Sequence, residues 1–334
     1  MNKQICNWII KCALAGITSF ALLCLATAFY YNTPVHYTNP DGATEYKYEP
    51  GLWFHGTEGF GYGRVNNDGF NNMENYAAGD KIDVLLMGSS HMEGFCVPQK
   101  NSAGAVLNRL FGEEKSVYNI GMAGHTFLYC AKRLEKALET YRPTEYVVME
   151  LATLSYDPAA MDAAADGSLP DIPSHTGGFL TALQKLPFLR LMYTKYMKGT
   201  NEAVAAAAGT AEPVSPEEYE KSLSRLLQKV AAVSGEHGVK AILVFTPSVR
   251  PDAENGVFVD VRPEERECFE RLCAENGLIF LDLSEKNAAA VTEDGRLPFG
   301  FANTAPGEGH INSLGLEIFA DAVYERIREG EGTA

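Results

Sequence analysis

Apolar and polar positions divide the 334-residue chain into three stretches of different character. From Cys12 to Tyr31 no residue is charged and Leu, Ala, Ile and Phe dominate; coiled as a helix, such a run spans roughly 30 Å, about one bilayer hydrocarbon core. Residues 32 to 80 are rich instead in Tyr, Asn, Gly and Pro, with short extended pieces and the turn signal Asn67-Asp68-Gly69. They read as an extracytoplasmic spacer leading into edge structure. Asn66, Asp68 and Asn71 do not have the spacing of a calcium loop, so a β-turn is the better reading.

From Lys81 onward, short apolar runs alternate with helical patterns. The pattern predicts strands over Ile82–Met87, Ser116–Ile120, Tyr146–Leu151, Val239–Thr246 and Leu278–Leu283. Between and after them it predicts helices over Ala103–Phe111, Phe127–Tyr141, Tyr219–Ser234, Glu264–Asn276 and Leu314–Arg328. Short, wholly apolar strands joined through helices imply right-handed crossovers and a parallel sheet covered on both faces. The expected fold is therefore α/β, with about five parallel strands in one three-layer domain over residues 81–330, preceded by the 1–31 segment and the 32–80 spacer.

One interruption, residues 156–215, breaks that alternation. Its first half is rich in Ala, Asp and Pro. Within Phe179–Met197 apolar residues alternate with Lys185, Arg190, Lys195 and Lys198 just beyond, and Ala203–Ala208 has linker composition. A basic amphipathic helix here suits either a cap packed on the domain or a membrane surface, and Pro187 breaks or restarts it.

Charge narrows the partners. All 43 acidic residues, and all but Lys3 and Lys11 of the 28 basic ones, lie beyond residue 31. A domain so acidic is a poor match for nucleic acid. Lys3 and Lys11 precede the apolar run and the next base is Lys47, so the positive-inside bias places the bulk of the chain outside the cytoplasm. Ala26-Thr27-Ala28 resembles a signal-peptidase site, but the run is longer than a usual cleavable core. A single-pass anchor in the cell membrane is the preferred reading, a cleaved signal the alternative. Of the seven cysteines none forms a CxxC pair or a metal-ligand spacing, so no metal and no other cofactor is expected; Cys96 and Cys130 are the pair an oxidising location would permit to bond.

Three stretches carry chemistry. Gly88-Ser89-Ser90-His91-Met92-Glu93-Gly94 follows the first predicted strand, and a serine in a glycine-bracketed turn at a strand end is how α/β enzymes present a nucleophilic hydroxyl. Such a hydroxyl needs a base. His310, in Glu308-Gly309-His310-Ile311-Asn312, follows the last strand and precedes the final helix, which returns it to the same sheet edge. Asn119-Ile120-Gly121-Met122-Ala123-Gly124 is a second strand end, whose glycines let backbone N–H groups approach a substrate oxygen. His91 and Glu93 flank Ser90, Glu150 ends the third strand as a carboxylate in need of a partner, and His125 follows Gly124. No phosphate-binding glycine pattern is present.

In order and spacing these stretches resemble the SGNH or GDSL hydrolase family. Gly88–Gly94 looks like its first block, Asn119–Gly124 its second and Gly307–Gly315 its last. The resemblance covers roughly residues 80–155 and 215–328 and implies a flavodoxin-like three-layer fold. It also implies Ser90 as nucleophile, His310 as general base, and the N–H groups of Ser90 and Gly124 as oxyanion donors, with Asn119 and His91 beside the substrate. Three departures stand out. Ser89 replaces an aspartate, Leu154 replaces the third block's asparagine donor, and Gly307 replaces the acid three before the histidine. Glu308 is left to orient His310, or a Ser–His dyad suffices. The membrane-anchored, DltD-like and AlgX-like relatives of this fold are similar in having one N-terminal span and a spacer. That likeness implies an acylated carbohydrate or envelope polymer as substrate and leaves three activities open. These are an esterase, an O-acyltransferase served by a membrane acyl-donor protein, and an inactive binding protein.

Overall fold

A computed structural model describes residues 3–34, 36–38, 46–171, 185–195, 215–254 and 256–332. The N-terminal apolar stretch is a helix, Lys3–Ala28, with mean hydropathy 2.1 and an 18-residue apolar window in which no residue is buried among the described residues. Its length and composition suit a membrane span or a signal sequence alike.

Five short strands follow: β1 (Tyr31–Asn32), β2 (His36–Thr38), β3 (Tyr46–Tyr48), β4 (Gly51–His55) and β5 (Gly61–Val65). β1, β4 and β5 form an antiparallel sheet in which Tyr31 pairs with His55, while β2 pairs with β3. Trp53 is fully buried with its ring 4.6 Å from that of Phe95, and Val65 and Phe70 are buried as well. The Asn-rich turn is a turn: Asn66 Oδ1 accepts from Asp68 N–H at 3.2 Å and Phe70 N–H at 3.0 Å. Asparagine holds this conformation because its short amide can replace backbone acceptors.

The remaining strands are β6 (Val84–Met87), β7 (Val117–Asn119), β8 (Tyr146–Leu151), β9 (Lys240–Phe245), β10 (Val249–Asp252), β11 (Gly256–Val259) and β12 (Ile279–Asp282). β7, β6, β8, β9 and β12 lie side by side in that order, all parallel. Counted along the chain the order is 2-1-3-4-5, the flavodoxin-like doubly wound arrangement. Alternate residues feed opposite layers. Leu85, Met87, Val147 and Met149 join one core with Leu134, Leu223 and Phe269; Val84, Leu86 and Val148 join the other with Leu107, Phe319 and Val323. Each such side chain contributes roughly 1.5–3 kcal/mol on burial, which explains why the strands are apolar on both faces.

The five expected strands and five expected helices are all present. Periodicity missed the helix Pro158–Asp166, which packs on the Phe127–Tyr141 and Pro216–Glu236 helices, the β10–β11 hairpin, and the helix Ser284–Thr292. Pro187 begins a helix, Pro187–Tyr193, as its fixed φ favours. That helix lies against the N-terminal one, with the Phe20 and Phe188 rings 6.1 Å apart. Residues 179–184 and 196–197 of the basic amphipathic stretch, and Ala203–Ala208, lie outside the described residues. All seven cysteines are free thiols, so the permitted Cys96–Cys130 bond is not formed.

Candidate active site

β6 stops at Met87 and the chain turns through Gly88-Ser89 into a one-turn helix, Ser90–Glu93. Ser89 caps it, its Oγ accepting from His91 N–H at 3.3 Å, and Gly94 ends it at φ 72°. Gly88 is dictated by contact: a Cβ there would stand 2.9 Å from the Glu150 side chain and 2.5 Å from that of Met92. The turn can therefore sit on the end of β8. Ser90 is left half-buried at the carboxyl edge, where doubly wound sheets place their ligands.

His310 arrives on the loop before the last helix. Asn312 fixes that loop, its amide donating to Leu297 O at 2.6 Å and Gly300 O at 3.0 Å while its Oδ1 accepts from Leu314 N–H at 2.9 Å. His310 Nε2 lies 2.9 Å from Ser90 Oγ. On the other side of the ring, Nδ1–H donates to Glu58 Oε2 at 2.7 Å, and the backbone N–H of His310 donates to Glu58 Oε1. Both carboxylate oxygens thus grip one residue. Ser90, His310 and Glu58 stand in the nucleophile–base–orienter relation of a serine-hydrolase triad.

Glu58 was not among the expected site residues. It sits in Gly56-Thr57-Glu58-Gly59, the turn between β4 and β5, within the stretch read as spacer. Asn303 pins this turn to the domain: Oδ1 accepts from Gly59 N–H at 2.8 Å and Nδ2 donates to Gly56 O at 3.3 Å. Gly309 makes room for it, since a Cβ at that position would fall 2.2 Å from Glu58 Oε1. Partial burial pushes the Glu58 carboxyl up, but the hydrogen bonds and charge of His310, with His55 nearby, outweigh it and hold the group below its ordinary 4.5. Glu58 is thus ionised when His310 needs a fixed tautomer and a counter-charge.

The expectation for Glu308 is corrected by this geometry. Glu308 is exposed, and the imidazole nitrogen it was to orient is already taken by Glu58. Asn119 is corrected too. Its amide faces inward, Nδ2 donating to Met92 O at 2.7 Å and Oδ1 accepting from Gly121 N–H at 2.8 Å, and the residue is 1 % exposed. It braces the Ser90 turn against the Gly121–Gly124 turn rather than facing a substrate. A further brace runs from Met122 N–H to Gly88 O at 3.0 Å. Glu93, also buried, accepts from Ala123 N–H at 2.9 Å and from the Tyr48 hydroxyl. Gly124, exposed at φ 84°, offers its N–H from the second turn. Leu154 is buried, its carbonyl accepting from Tyr219 Oη at 2.5 Å, so the third turn supplies no side-chain donor from that position.

His91 stands beside the Ser90–His310 pair. Its ring stands edge-on to His310, centroids 5.6 Å apart, and 5.9 Å from Phe299. Nδ1 lies 3.2 Å from Glu150 Oε1, and Glu150 Oε2 accepts from Ser89 N–H at 3.0 Å. This answers the question of the partner of the buried Glu150. Burial raises its carboxyl, while His91 and the Ser89 N–H lower it further, leaving it below its ordinary 4.5. His125, by contrast, is 3 % exposed, tilted against Tyr129 with ring centroids 4.6 Å apart, and bonded through Nδ1 to Arg133 at 3.0 Å.

Cys96 Sγ, a Glu58 oxygen and a His310 nitrogen lie within 4.8 Å of one another, a donor set of the kind zinc accepts. Burial and the charges of Glu58 and Glu93 push the Cys96 thiol well up. The other two donors already hold each other, so the cluster as it stands serves the triad.

Fold and site together define a doubly wound α/β protein with a Ser–His–Glu constellation at its carboxyl edge. No family model matches the chain and no curated protein sequence is similar to it. Among solved structures it resembles a psychrotrophic esterase EstA from Pseudoalteromonas sp. at 13 % identity, over 75 % of this chain and 99 % of that one, with TM-score 0.40. An acetyl xylan esterase is similar at 13 % identity, over 74 % and 100 % respectively, with TM-score 0.42. A salicylyl-acyltransferase, SsfX3, from a tetracycline biosynthetic pathway is similar at 14 % identity, over 75 % and 55 %, with TM-score 0.36. Resemblances of this depth assign no residue a role.

Proposed function

We propose that the protein is an SGNH-type serine esterase, held at the cell membrane by its N-terminal helix with the domain outside the cytoplasm, that removes O-acyl groups, acetyl foremost, from envelope carbohydrate. The observation that carries the catalytic part is the unbroken relay Ser90 Oγ–His310 Nε2, His310 Nδ1–Glu58. His310 takes the Ser90 proton as Oγ attacks the ester carbonyl, and Glu58 steadies the imidazolium that forms. The N–H groups of Ser90 and Gly124 receive the oxyanion, each such donor being worth about 3 kcal/mol. The protonated His310 then gives its proton to the departing sugar oxygen, and water activated by the same base clears the acyl-enzyme.

The carbohydrate and membrane parts rest on the sequence resemblance and on the charge asymmetry about the apolar helix. A sugar hydroxyl in place of water would make the same site an O-acyltransferase, with a membrane acyl donor as partner. The inactive, envelope-binding alternative drew its force from Gly307 and Leu154; Glu58 supplies the acid whose absence motivated half of it. The test is an aryl acetate together with a serine-reactive fluorophosphonate. Turnover and labelling in the native chain, both lost in Ser90→Ala, are expected. Labelling that persists in Ser90→Ala overturns the assignment, and acylated acceptor in place of free acetate moves it to a transferase.

A further inference from the structure

The imidazole beside the nucleophile is set up as a reader of hydroxyl groups. Glu150 is 1 % exposed, and its two oxygens are used by His91 Nδ1 and Ser89 N–H. A buried, ionised carboxylate at Nδ1 fixes the proton on that nitrogen, because the alternative would leave a carboxylate facing a lone pair. When the ring carries a single proton, Nε2 is then an acceptor. Among the described residues no side chain or backbone N–H meets it, and the His91 side chain keeps 15 % of its surface open.

Its placement gives that acceptor a role. His91 is the residue after Ser90, and its ring edge stands against the same His310 that bonds Ser90 Oγ. Its anchor, Glu150, is on β8, which pairs with β6 so that Met87 opposes Met149. His91 therefore stands on the β8 flank of Ser90, whose following turn has Leu154 buried where a donor was expected. The flank presents an acceptor. An ester whose neighbouring atoms are all acceptors gains nothing from it, while a hydroxyl beside the ester gains a hydrogen bond.

We infer that His91 Nε2, oriented by Glu150, is a substrate subsite that accepts a hydrogen bond from a hydroxyl adjacent to the scissile ester, as on a partly acylated sugar ring. The inference rests on the esterase reading and narrows it. His91 is a specificity-determining residue and Glu150 its positioning residue. Neither is asked to move a proton.

The experiment uses the full chain in detergent and three esters: an aryl acetate, a mono-O-acetyl methyl glycoside with free neighbouring hydroxyls, and the same glycoside with those hydroxyls replaced by hydrogen. The native chain is expected to prefer the hydroxylated glycoside over its deoxy twin by about tenfold in kcat/KM, the scale of one hydrogen bond. His91→Phe is expected to collapse that ratio towards one. Glu150→Gln, which frees the tautomer, is expected to lower it. A fluorophosphonate reports folded, reactive Ser90 in each variant. A native ratio near one, or a ratio that survives in labelled His91→Phe, overturns the subsite alone. No turnover of any ester and no labelling in the native chain overturns the esterase reading and the subsite with it. The native comparison needs no variant to fold.

Discussion

Two histidine–glutamate pairs lie side by side, with ring centroids 5.6 Å apart, and they are built in opposite ways. His91–Glu150 joins two neighbouring strands of the central sheet and has its carboxylate sealed from water. His310–Glu58 joins the last loop to the β4–β5 hairpin, across 252 positions of chain, with Glu58 only partly buried. The first belongs to the scaffold and is fixed once β6 pairs with β8. The second exists only when the β4–β5 turn docks on the His310 loop. The pair that meets Ser90 is the one that depends on a peripheral element, and Asn303 and Gly309 are what hold it there. A base that must shuttle a proton needs access, whereas a positioning carboxylate needs none.

That contrast can be broken most sharply at Glu58. Glu58→Gln keeps the shape but removes the charge that fixes the His310 tautomer, and should lower kcat for an aryl acetate by about 10²–10⁴-fold. Glu308→Gln should stay within about twofold. Comparable losses in the two variants would return the orienting role to Glu308. At the sheet pair the larger effect should be on folding. Glu150→Ala strips the partner from Ser89 N–H and from His91 in a dry site, costing about 2–4 kcal/mol, read as a drop in denaturant midpoint.

Leu154→Asn tests whether the absent donor can be restored. Leu154 packs in the core, so the amide would be buried without a partner at about 1–3 kcal/mol, with no gain in turnover. A rise in kcat would show that this turn can swing to the oxyanion. The smallest effect separates the pairs by pH. Both carboxyls are held below their ordinary 4.5. Their contributions to stability are therefore complete above that value and fade as pH falls through the lower folded values. Thermal melts from pH 6 downward should lose less in Glu150→Gln than in the native chain. The Glu58→Gln difference should be shallower, since solvent screens a partly exposed pair.

How much of this was legible before folding depends on the range of the interaction. Ser90 and Gly124 could be placed because each follows a strand end, and His310 because its loop leads into the last helix, and strand ends of a parallel sheet meet at one edge whatever the side chains. The Gly88 and Gly94 bracket is local, and so is the Asn66 turn. Leu154 and Gly307 could be seen as departures for the same reason. Glu58 could not be found: an acid in a Gly-bracketed turn is an ordinary loop residue, and nothing within the Tyr- and Asn-rich stretch distinguishes it from Glu49 or Glu74. Asn119 misled because its type suits a substrate contact, while its amide is drawn inward by Met92, which belongs to another turn.

The succession of strands and helices along the chain, the two-faced apolar core and the position of the serine turn follow from the sequence alone, because hydrophobic period and glycine chemistry act over a few residues. Which carboxylate meets which imidazole was decided by the tertiary structure. Such a contact is selected by the docking of whole elements, Glu58 by the β4–β5 hairpin and Glu150 by strand pairing, and it leaves no periodic trace along the chain.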